Sequence, residues 1–163
     1  MIYLMTLMVF DFVLMPFFRV GPAQPLLLYL MVPYAVFEQH WNRVLPLALL
    51  VGFFRDIFSP GLLGVETVTG AAASAGLILL VRKIERGTAV MRMAASFLYI
   101  FLMLYGIFLI SKILGGPSYD FPFAFQIAFA SAFETALLAP PFFYLTARWF
   151  HDRIPLRQYE LFG

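Results

Sequence analysis

The sequence predicts an all-α integral membrane protein with six transmembrane helices. Of its 163 residues, 63% are hydrophobic and 12% are charged, with a mean hydropathy of +0.89, whereas a soluble domain has about 25% charged residues. Six apolar runs follow one another along the chain, and they lack the alternating pattern of barrel strands. Only helices and closed barrels satisfy the backbone in lipid. We therefore expect one helical membrane domain over residues 1–163, with no soluble domain.

The six apolar runs define the predicted spans. A helix needs about 20 residues to cross ~30 Å of hydrocarbon, so the short second and third runs are expected to lie within the bundle or to thin the bilayer locally. The first run lacks a basic region and a small-residue cleavage site, which favours a retained span over a signal peptide. The predicted spans, followed by a tail at 148–163, are 1–18, 24–38, 44–58, 63–81, 94–111 and 123–147.

The basic residues predict the orientation of the spans. Eight of the eleven lie on one side of a six-span chain: Arg43, Arg82, Lys83, Arg86, Arg92, Arg148, Arg153 and Arg157. The other three are Arg19, Arg55 and Lys112. Because cytoplasmic loops are richer in Lys and Arg, both termini are expected in the cytoplasm.

Two other classes are disfavoured by charge and composition. The net charge of +2 and the pI near 9.0 could suggest a nucleic-acid binder, but the basic residues lie at the ends of apolar runs and not along one polar face. The chain has no cysteine, which excludes disulfides and thiolate chemistry. We expect contact with a lipid bilayer and none with nucleic acid.

The stretch LVGFFRDIFSPGLLGVETVTG sets Arg55 beside Asp56 at the predicted outer turn. In one interpretation, Arg55 complements the helix end and reaches the headgroups while Asp56 hydrogen-bonds the turn. In the other, the tip lines a pocket or a docking surface at the outer face, to which Ser59, Glu66 and Arg19 also belong. The residues alone leave both interpretations open.

Two carboxylates lie deep in predicted spans. Asp11 is in the middle of the first span and Glu134 is in the middle of the sixth. A charged side chain there costs at least ~2.5–3.5 kcal/mol, so each is expected to be neutral, hydrogen-bonded or directed at a polar cavity. A structural hydrogen bond, a binding pocket and a proton relay all remain possible roles.

The sixth span has a polar row beside an aromatic row. Gln126, Ala130 and Glu134 follow at four-residue spacing, as helical neighbours do. We expect this polar row to face inward, which would make Gln126 a buried polar residue. The adjacent aromatic row, expected to face lipid or a partner, is Phe125, Phe129 and Phe133.

The fourth span is rich in small residues. In TGAAASAG, Gly70 and Ser74 are four residues apart, a spacing that lets another helix approach closely. That helix is either a neighbour within the bundle or the single span of a partner.

Catalytic patterns are missing from the sequence. The two histidines, His40 and His151, fall at the predicted inner face, and neither is near a serine in a nucleophile-elbow context. The aspartates are not paired as in an intramembrane aspartyl site, and no Gly-rich phosphate loop or converging metal-ligand set is visible. We therefore expect a protein that is not an enzyme and has no cofactor and no metal site.

The outer turn resembles a known family signature. The stretch GFFRDIFSPGLLG is similar to the G-x-x-x-D-x-x-S-x-x-L-L-G pattern of the MreD family, the rod-shape-determining membrane proteins of bacteria. The residues that carry the resemblance are Gly52, Asp56, Ser59, Gly61, Leu63 and Gly64. The chain length, the six spans, the basic inner tail and the opening of the second span from Pro22 to Leu28 also agree.

The resemblance implies a role and a set of partners. MreD-like proteins are scaffolds in the bacterial inner membrane that bind MreC, a single-span periplasmic protein. They work in the cell-wall elongation machinery with actin-like MreB, a SEDS-type glycosyltransferase and a penicillin-binding transpeptidase. Their fold is similar to that of the substrate-binding subunits of energy-coupling-factor vitamin transporters.

That similarity raises an alternative function, the capture of a small, vitamin-type molecule for a transporter. Such subunits show an Ala-x-x-x-Ala face on the first span, where the coupling protein packs. Here the first span has neither alanine nor glycine, and its bulky side chains prevent close backbone approach. This composition disfavours a role as a substrate-binding subunit of a transporter.

Overall fold

The computed structural model describes residues 6, 9, 11, 25–38, 41–58, 61–81, 88–115 and 120–151. Across this described part the chain is helical and contains no strand, which confirms the predicted all-α class. Of the first predicted span, Thr6, Val9 and Asp11 are described. Arg19, Ser59 and the tail from 152 onward lie outside the described residues.

Five helices are described after residue 25. Leu27–Leu30 form a 3₁₀ turn, η1, which continues into α1, Met31–Glu38. The others are α2, Trp41–Phe58; α3, Val65–Val81; α4, Ala89–Ile113; and α5, Phe121–His151. Each predicted run from the second to the sixth overlaps one of these helical segments.

Local signals account for the bounds of α4. The Thr88 side chain accepts a hydrogen bond from the Met91 amide at 3.4 Å and so serves as the N-cap. At the other end Gly115 has φ +73°, a left-handed conformation that glycine adopts without steric cost and that commonly ends a helix.

Two helices are long and apolar enough to cross a membrane, α4 and residues 121–148 of α5. In their most apolar stretches only 28% and 33% of the residues are buried inside the protein. The core helix of a soluble protein would be buried on most sides. These two helices instead present large apolar side chains outward, as helices in lipid do.

The second predicted run lies at the centre of the bundle. Every residue from 25 to 37 is buried, and α1 packs against α2, α3 and α4. Against α5, the ring centroids of Tyr34 and Phe143 are 5.6 Å apart. This short run therefore adopts one of the two arrangements expected for it, burial within the bundle.

The helices α2 and α3 approach each other closely at a glycine. A Cβ atom on Gly52 would lie 2.6 Å from the Cα of Thr67 and 3.0 Å from the carbonyl oxygen of Glu66. Both obstacles are backbone atoms, so they cannot rotate away. Glycine at position 52 therefore sets the distance between these two helices.

The two small residues Gly70 and Ser74 of α3 pack within the bundle. A Cβ atom added to Gly70 would lie 3.6–3.8 Å from the side chains of Met103 and Tyr99 and from the carbonyl oxygen of Ala48. Ser74 is fully buried and donates to the Ala71 carbonyl. Contacts inside the protein thus occupy this face of the helix.

Aromatic rings join α4 to α5. The closest pairs between the two helices are edge-to-face, with centroid separations of 5.3–5.6 Å, a favoured ring geometry. They are Phe97 with Phe129, Phe101 with Phe125 and Tyr105 with Phe121.

Replacing Gly52 should separate α2 from α3. We expect Gly52→Ala to lower the free energy of unfolding by about 1–3 kcal/mol, as overpacking does. Gly76→Ala is the matched control because nothing lies within 4 Å of its added Cβ, and alanine favours a helix by up to ~1 kcal/mol. Thermal unfolding in detergent measures both. Equal melting temperatures for the two variants would contradict the close contact.

Labelling at the two ends of α4 tests whether this helix crosses a membrane. The chain has no cysteine of its own, and Val90 and Ile113 are 74% and 82% exposed. We expect Val90→Cys and Ile113→Cys to react with an impermeant maleimide from opposite sides of the membrane. If both variants were labelled on intact cells, α4 would not be a span.

Candidate functional site

A buried charge cluster lies where α2 and α3 meet. Arg55 is in the last turn of α2 and Glu66 is in the first turn of α3. The turn between the helices places them side by side, with the Arg55 Nε 3.3 Å from the Glu66 Oε2. The side chain of Arg55 is only 14% exposed, so this ion pair is largely shielded from solvent.

A second carboxylate reaches the same arginine from the first predicted span. The Arg55 Nη1 is 3.3 Å from the Oδ2 of Asp11, whose side chain has no exposed surface. One guanidinium thus bridges two carboxylates that are far apart in the sequence. Asp11 is both hydrogen-bonded and ion-paired in the protein interior.

Asp11 also caps the buried start of η1. Its Oδ1 accepts from the Leu27 amide at 2.8 Å and from the Leu28 amide at 3.5 Å. The preceding amide, of Leu26, donates to the Thr135 hydroxyl of α5 at 3.1 Å. The first amides of a helix have no partner within it, so side chains from two other elements satisfy them here.

Tyr29 completes the cluster, and sequence reasoning missed it. Its hydroxyl donates to the Glu66 Oε2 and accepts from the Arg55 Nε at 3.3 Å. The Arg55 guanidinium carbon lies 5.2 Å from the centroid of the Tyr29 ring, within cation–π range. The sequence does contain a signal for Tyr29: it is a tyrosine in an apolar run, and a buried hydroxyl group needs a hydrogen-bond partner. We call Asp11, Tyr29, Arg55 and Glu66 the Arg55 cluster.

The Arg55 cluster has unequal formal charges. When ionised, Asp11 and Glu66 carry two negative charges against one positive charge on Arg55. The amides at the start of η1 point toward Asp11, and such amides carry partial positive charge. These amides therefore offset part of the excess negative charge of the two carboxylates. The cluster therefore depends on the backbone of η1 as well as on its side chains.

Asp56 supports the fold beside the cluster. It is 4% exposed, and its two oxygens accept from the Glu66 and Thr67 amides at 3.0 Å each. The Thr67 hydroxyl also donates to Asp56. Asp56 thus caps the first turn of α3 from the neighbouring helix α2.

The structure gives Arg55 and Asp56 partners inside the bundle. Arg55 pairs with the carboxylates of Asp11 and Glu66, and Asp56 accepts hydrogen bonds from backbone amides of α3. Asp56 and Glu66 are buried, and their place in a pocket or docking surface stays a prediction. In the turn between α2 and α3, Leu63 is 79% exposed.

The polar row of α5 does not face inward as predicted. Gln126 is exposed, Ala130 and Glu134 are half-buried, and the Oε2 of Glu134 is shielded without a hydrogen-bond partner. Small side chains instead form the buried side of α5. They are Ala124, Ala128, Ala132, Ala136 and Ala139.

A cavity of about 200 Å³ lies at the other end of the bundle, where α3 ends and α4 begins. Its walls are apolar and include Phe37, Val81 and Met91. Among the described residues, no group of three or more His, Cys, Asp or Glu side chains could hold a metal ion.

The chain was compared with family models, curated proteins and solved structures, and none of them matches it.

The Arg55 cluster connects five parts of the chain through Asp11, η1, α2, α3 and, by way of Thr135, α5. Its described polar contacts include the ion pairs of Arg55 with both carboxylates and the hydrogen bonds from the amides of η1 to Asp11. A ligand of the cluster would therefore have to displace existing hydrogen bonds and ion pairs. This arrangement favours holding the bundle together over binding a molecule.

Removing the charge of Arg55 should destabilise the protein strongly. We expect Arg55→Met to cost about 3–5 kcal/mol of the free energy of unfolding, because it leaves two buried carboxylates without their ion pair. Arg92→Met is the matched control: Arg92 pairs with Glu38 at 2.9 Å, with both side chains one-third exposed. Exposed pairs contribute about 0–1 kcal/mol.

Thermal unfolding in detergent compares the two methionine variants. Adding Glu66→Gln to Arg55→Met should recover part of the loss, because it removes one of the unpaired charges. Equal destabilisation by Arg55→Met and Arg92→Met would contradict the role of the cluster.

Proposed function

We propose that this chain is a non-catalytic scaffold of the MreD type in the bacterial inner membrane. It would act in the cell-wall elongation machinery, bind an MreC-like single-span protein and help to maintain rod shape. The other members of that machinery would be MreB, a SEDS-type glycosyltransferase and a penicillin-binding transpeptidase. The proposal includes six spans, with both termini in the cytoplasm.

The geometry of the α2–α3 hairpin carries this proposal. Three residues of the MreD-like signature have specific physical roles there. Gly52 permits the close contact of the two helices, Asp56 caps α3, and Gly64 has φ +91°. The stretch therefore forms a defined structural unit, and this supports the proposal.

The outward surfaces also support a scaffold. The apolar sides of α4 and α5 face away from the bundle, and the turn after α2 presents apolar side chains. In the proposed orientation this turn lies at the periplasmic side, where a periplasmic partner would meet it. Its most exposed members are Phe58, Leu62 and Leu63.

Capture of a vitamin-type molecule is the competing function. Ligand pockets combine apolar walls with a few polar groups that fix the orientation of the ligand. The described cavity near α4 has apolar walls, and the described polar groups of the Arg55 cluster already pair with each other. These observations favour the scaffold.

Affinity purification in detergent tests the proposal. A co-purifying single-span periplasmic protein supports the scaffold, whereas two ATPases with a transmembrane coupling subunit would support the transporter. We expect Leu63→Arg, at the periplasmic turn, to reduce recovery of the single-span protein by several fold. Val90→Arg is the control at the opposite end, because Val90 is 74% exposed and Leu63 is 79% exposed.

Cell shape provides the second measurement for these variants. In a strain depleted of its own rod-shape protein, the chain and Val90→Arg should restore normal cell width, and Leu63→Arg should not. Membrane abundance is followed by immunoblot. Failure of the unaltered chain to restore width at normal abundance would contradict the elongation role.

A further inference from the structure

The cavity of about 200 Å³ lies between α3 and α4 and opens on the surface of the bundle. Two residues of its wall, Leu80 of α3 and Ala94 of α4, are exposed, so an occupant can enter from the side. Phe37 of α1 is buried and forms part of the wall further in. Along α4 the wall runs from Met91 to Leu98, which is about 10 Å at 1.5 Å per residue.

Hydrocarbon is the medium expected around this opening. The helix α4 is long and apolar enough to cross a membrane, and only 28% of its most apolar stretch is buried inside the protein. Apolar cavities of ~150 Å³ stay dry and take up small apolar molecules, because water finds no polar partners in them. In a bilayer the abundant apolar group is the acyl chain of a phospholipid. Such a chain therefore fills this cavity more favourably than water does.

An ion pair lies beside the cavity. Glu38 is the last residue of α1 and Arg92 is near the start of α4, and the Arg92 Nη2 is 2.9 Å from the Glu38 Oε1. The guanidinium carbon of Arg92 lies 5.9 Å from the centroid of the Phe37 ring, which belongs to the cavity wall. Both side chains of the pair are one-third exposed, so polar groups of a bound molecule can reach them.

The direction of the cavity suits a phospholipid. Glu38 ends α1, Val81 ends α3 and Arg92 follows the start of α4, so the ion pair lies at one end of the bundle. The headgroup of a phospholipid lies at the membrane surface and its chains extend toward the middle of the bilayer. From Arg92 to Leu98, the wall along α4 follows the same direction.

We propose that the cavity binds one acyl chain of a phosphatidylethanolamine whose headgroup contacts the Arg92–Glu38 pair. This headgroup carries one negative phosphate and one positive primary ammonium. The phosphate accepts hydrogen bonds from the guanidinium of Arg92, and the ammonium donates to the carboxylate of Glu38. Each side chain thus exchanges one partner of opposite charge for another.

Other common headgroups match the ion pair less well. Phosphatidylglycerol has no ammonium, so its phosphate would take Arg92 and leave Glu38 without a cationic partner. The quaternary ammonium of phosphatidylcholine has no N–H group and cannot donate a hydrogen bond to Glu38. This inference rests on the membrane location of α4 and not on a role in cell-wall elongation.

Native mass spectrometry of the purified full chain in detergent counts bound lipids. Phosphatidylethanolamine, phosphatidylcholine and phosphatidylglycerol, all with palmitoyl and oleoyl chains, are added one at a time. We expect one phosphatidylethanolamine per chain, bound about fivefold more tightly than phosphatidylcholine, which loses the hydrogen bonds to Glu38. Equal binding of the three lipids, or tighter binding of phosphatidylglycerol, would overturn the inference.

Filling the cavity should displace the lipid. Ala94 is exposed at the opening, so in Ala94→Phe a larger ring can occupy the cavity from the surface. Ala75→Phe is the matched control, because Ala75 is exposed on α3 and does not belong to the cavity wall. We expect Ala94→Phe to bind phosphatidylethanolamine several fold more weakly and Ala75→Phe to bind it like the parent. Unchanged affinity in Ala94→Phe would show that the lipid lies elsewhere.

The headgroup contact is tested by Glu38→Gln, which leaves the cavity wall intact. Because its amide has no charge to pair with the ammonium, we expect this variant to bind phosphatidylethanolamine and phosphatidylcholine equally. Retention of the parent's preference would contradict the proposed contact. Loss of a one-third exposed ion pair costs little stability, so this comparison decides the matter if Ala94→Phe does not fold.

Discussion

The bridge from Arg55 to Asp11 and Glu66 is the interaction on which the rest of the described structure depends. It joins the first predicted span to α2 and α3 by ion pairs of 3.3 Å, and Tyr29 adds η1 to the same cluster. Burying three ionisable groups is costly unless each finds a partner. Each has one only when these elements occupy their observed positions, so the cluster favours this arrangement over other packings of equally apolar helices.

The bridge also explains how a helix can begin inside the bundle. The amides of Leu26, Leu27 and Leu28 would be unsatisfied in an apolar interior, and Asp11 and Thr135 accept their hydrogen bonds. Because its start is capped from both sides, the segment from 25 to 37 can be buried along its whole length. The longer helices then pack around it, and close contacts at Gly52 and along the alanine face of α5 complete the bundle.

In the proposed scaffold, buried polar groups hold the helices together and apolar groups form the outer surface. The Arg55 cluster and Asp56 are occupied in holding the helices, which leaves the outer surfaces for other molecules. In the turn after α2, Leu63 is 79% exposed. Edge-to-face ring pairs join α4 to α5.

The sequence by itself determined the helical class, the approximate extent of the helices and the nearness of Glu66 to Arg55, because each follows from local signals such as apolar runs and the glycine-rich turn. Only the tertiary structure decided that Asp11 and Tyr29 join Arg55, that Asp56 caps α3, and that Gln126 faces outward. In a soluble helix the apolar face marks the core. In a helix surrounded by lipid, both the packed face and the outer face are apolar. The pattern along α5 therefore does not reveal its inward side, which is decided by how the helices pack together.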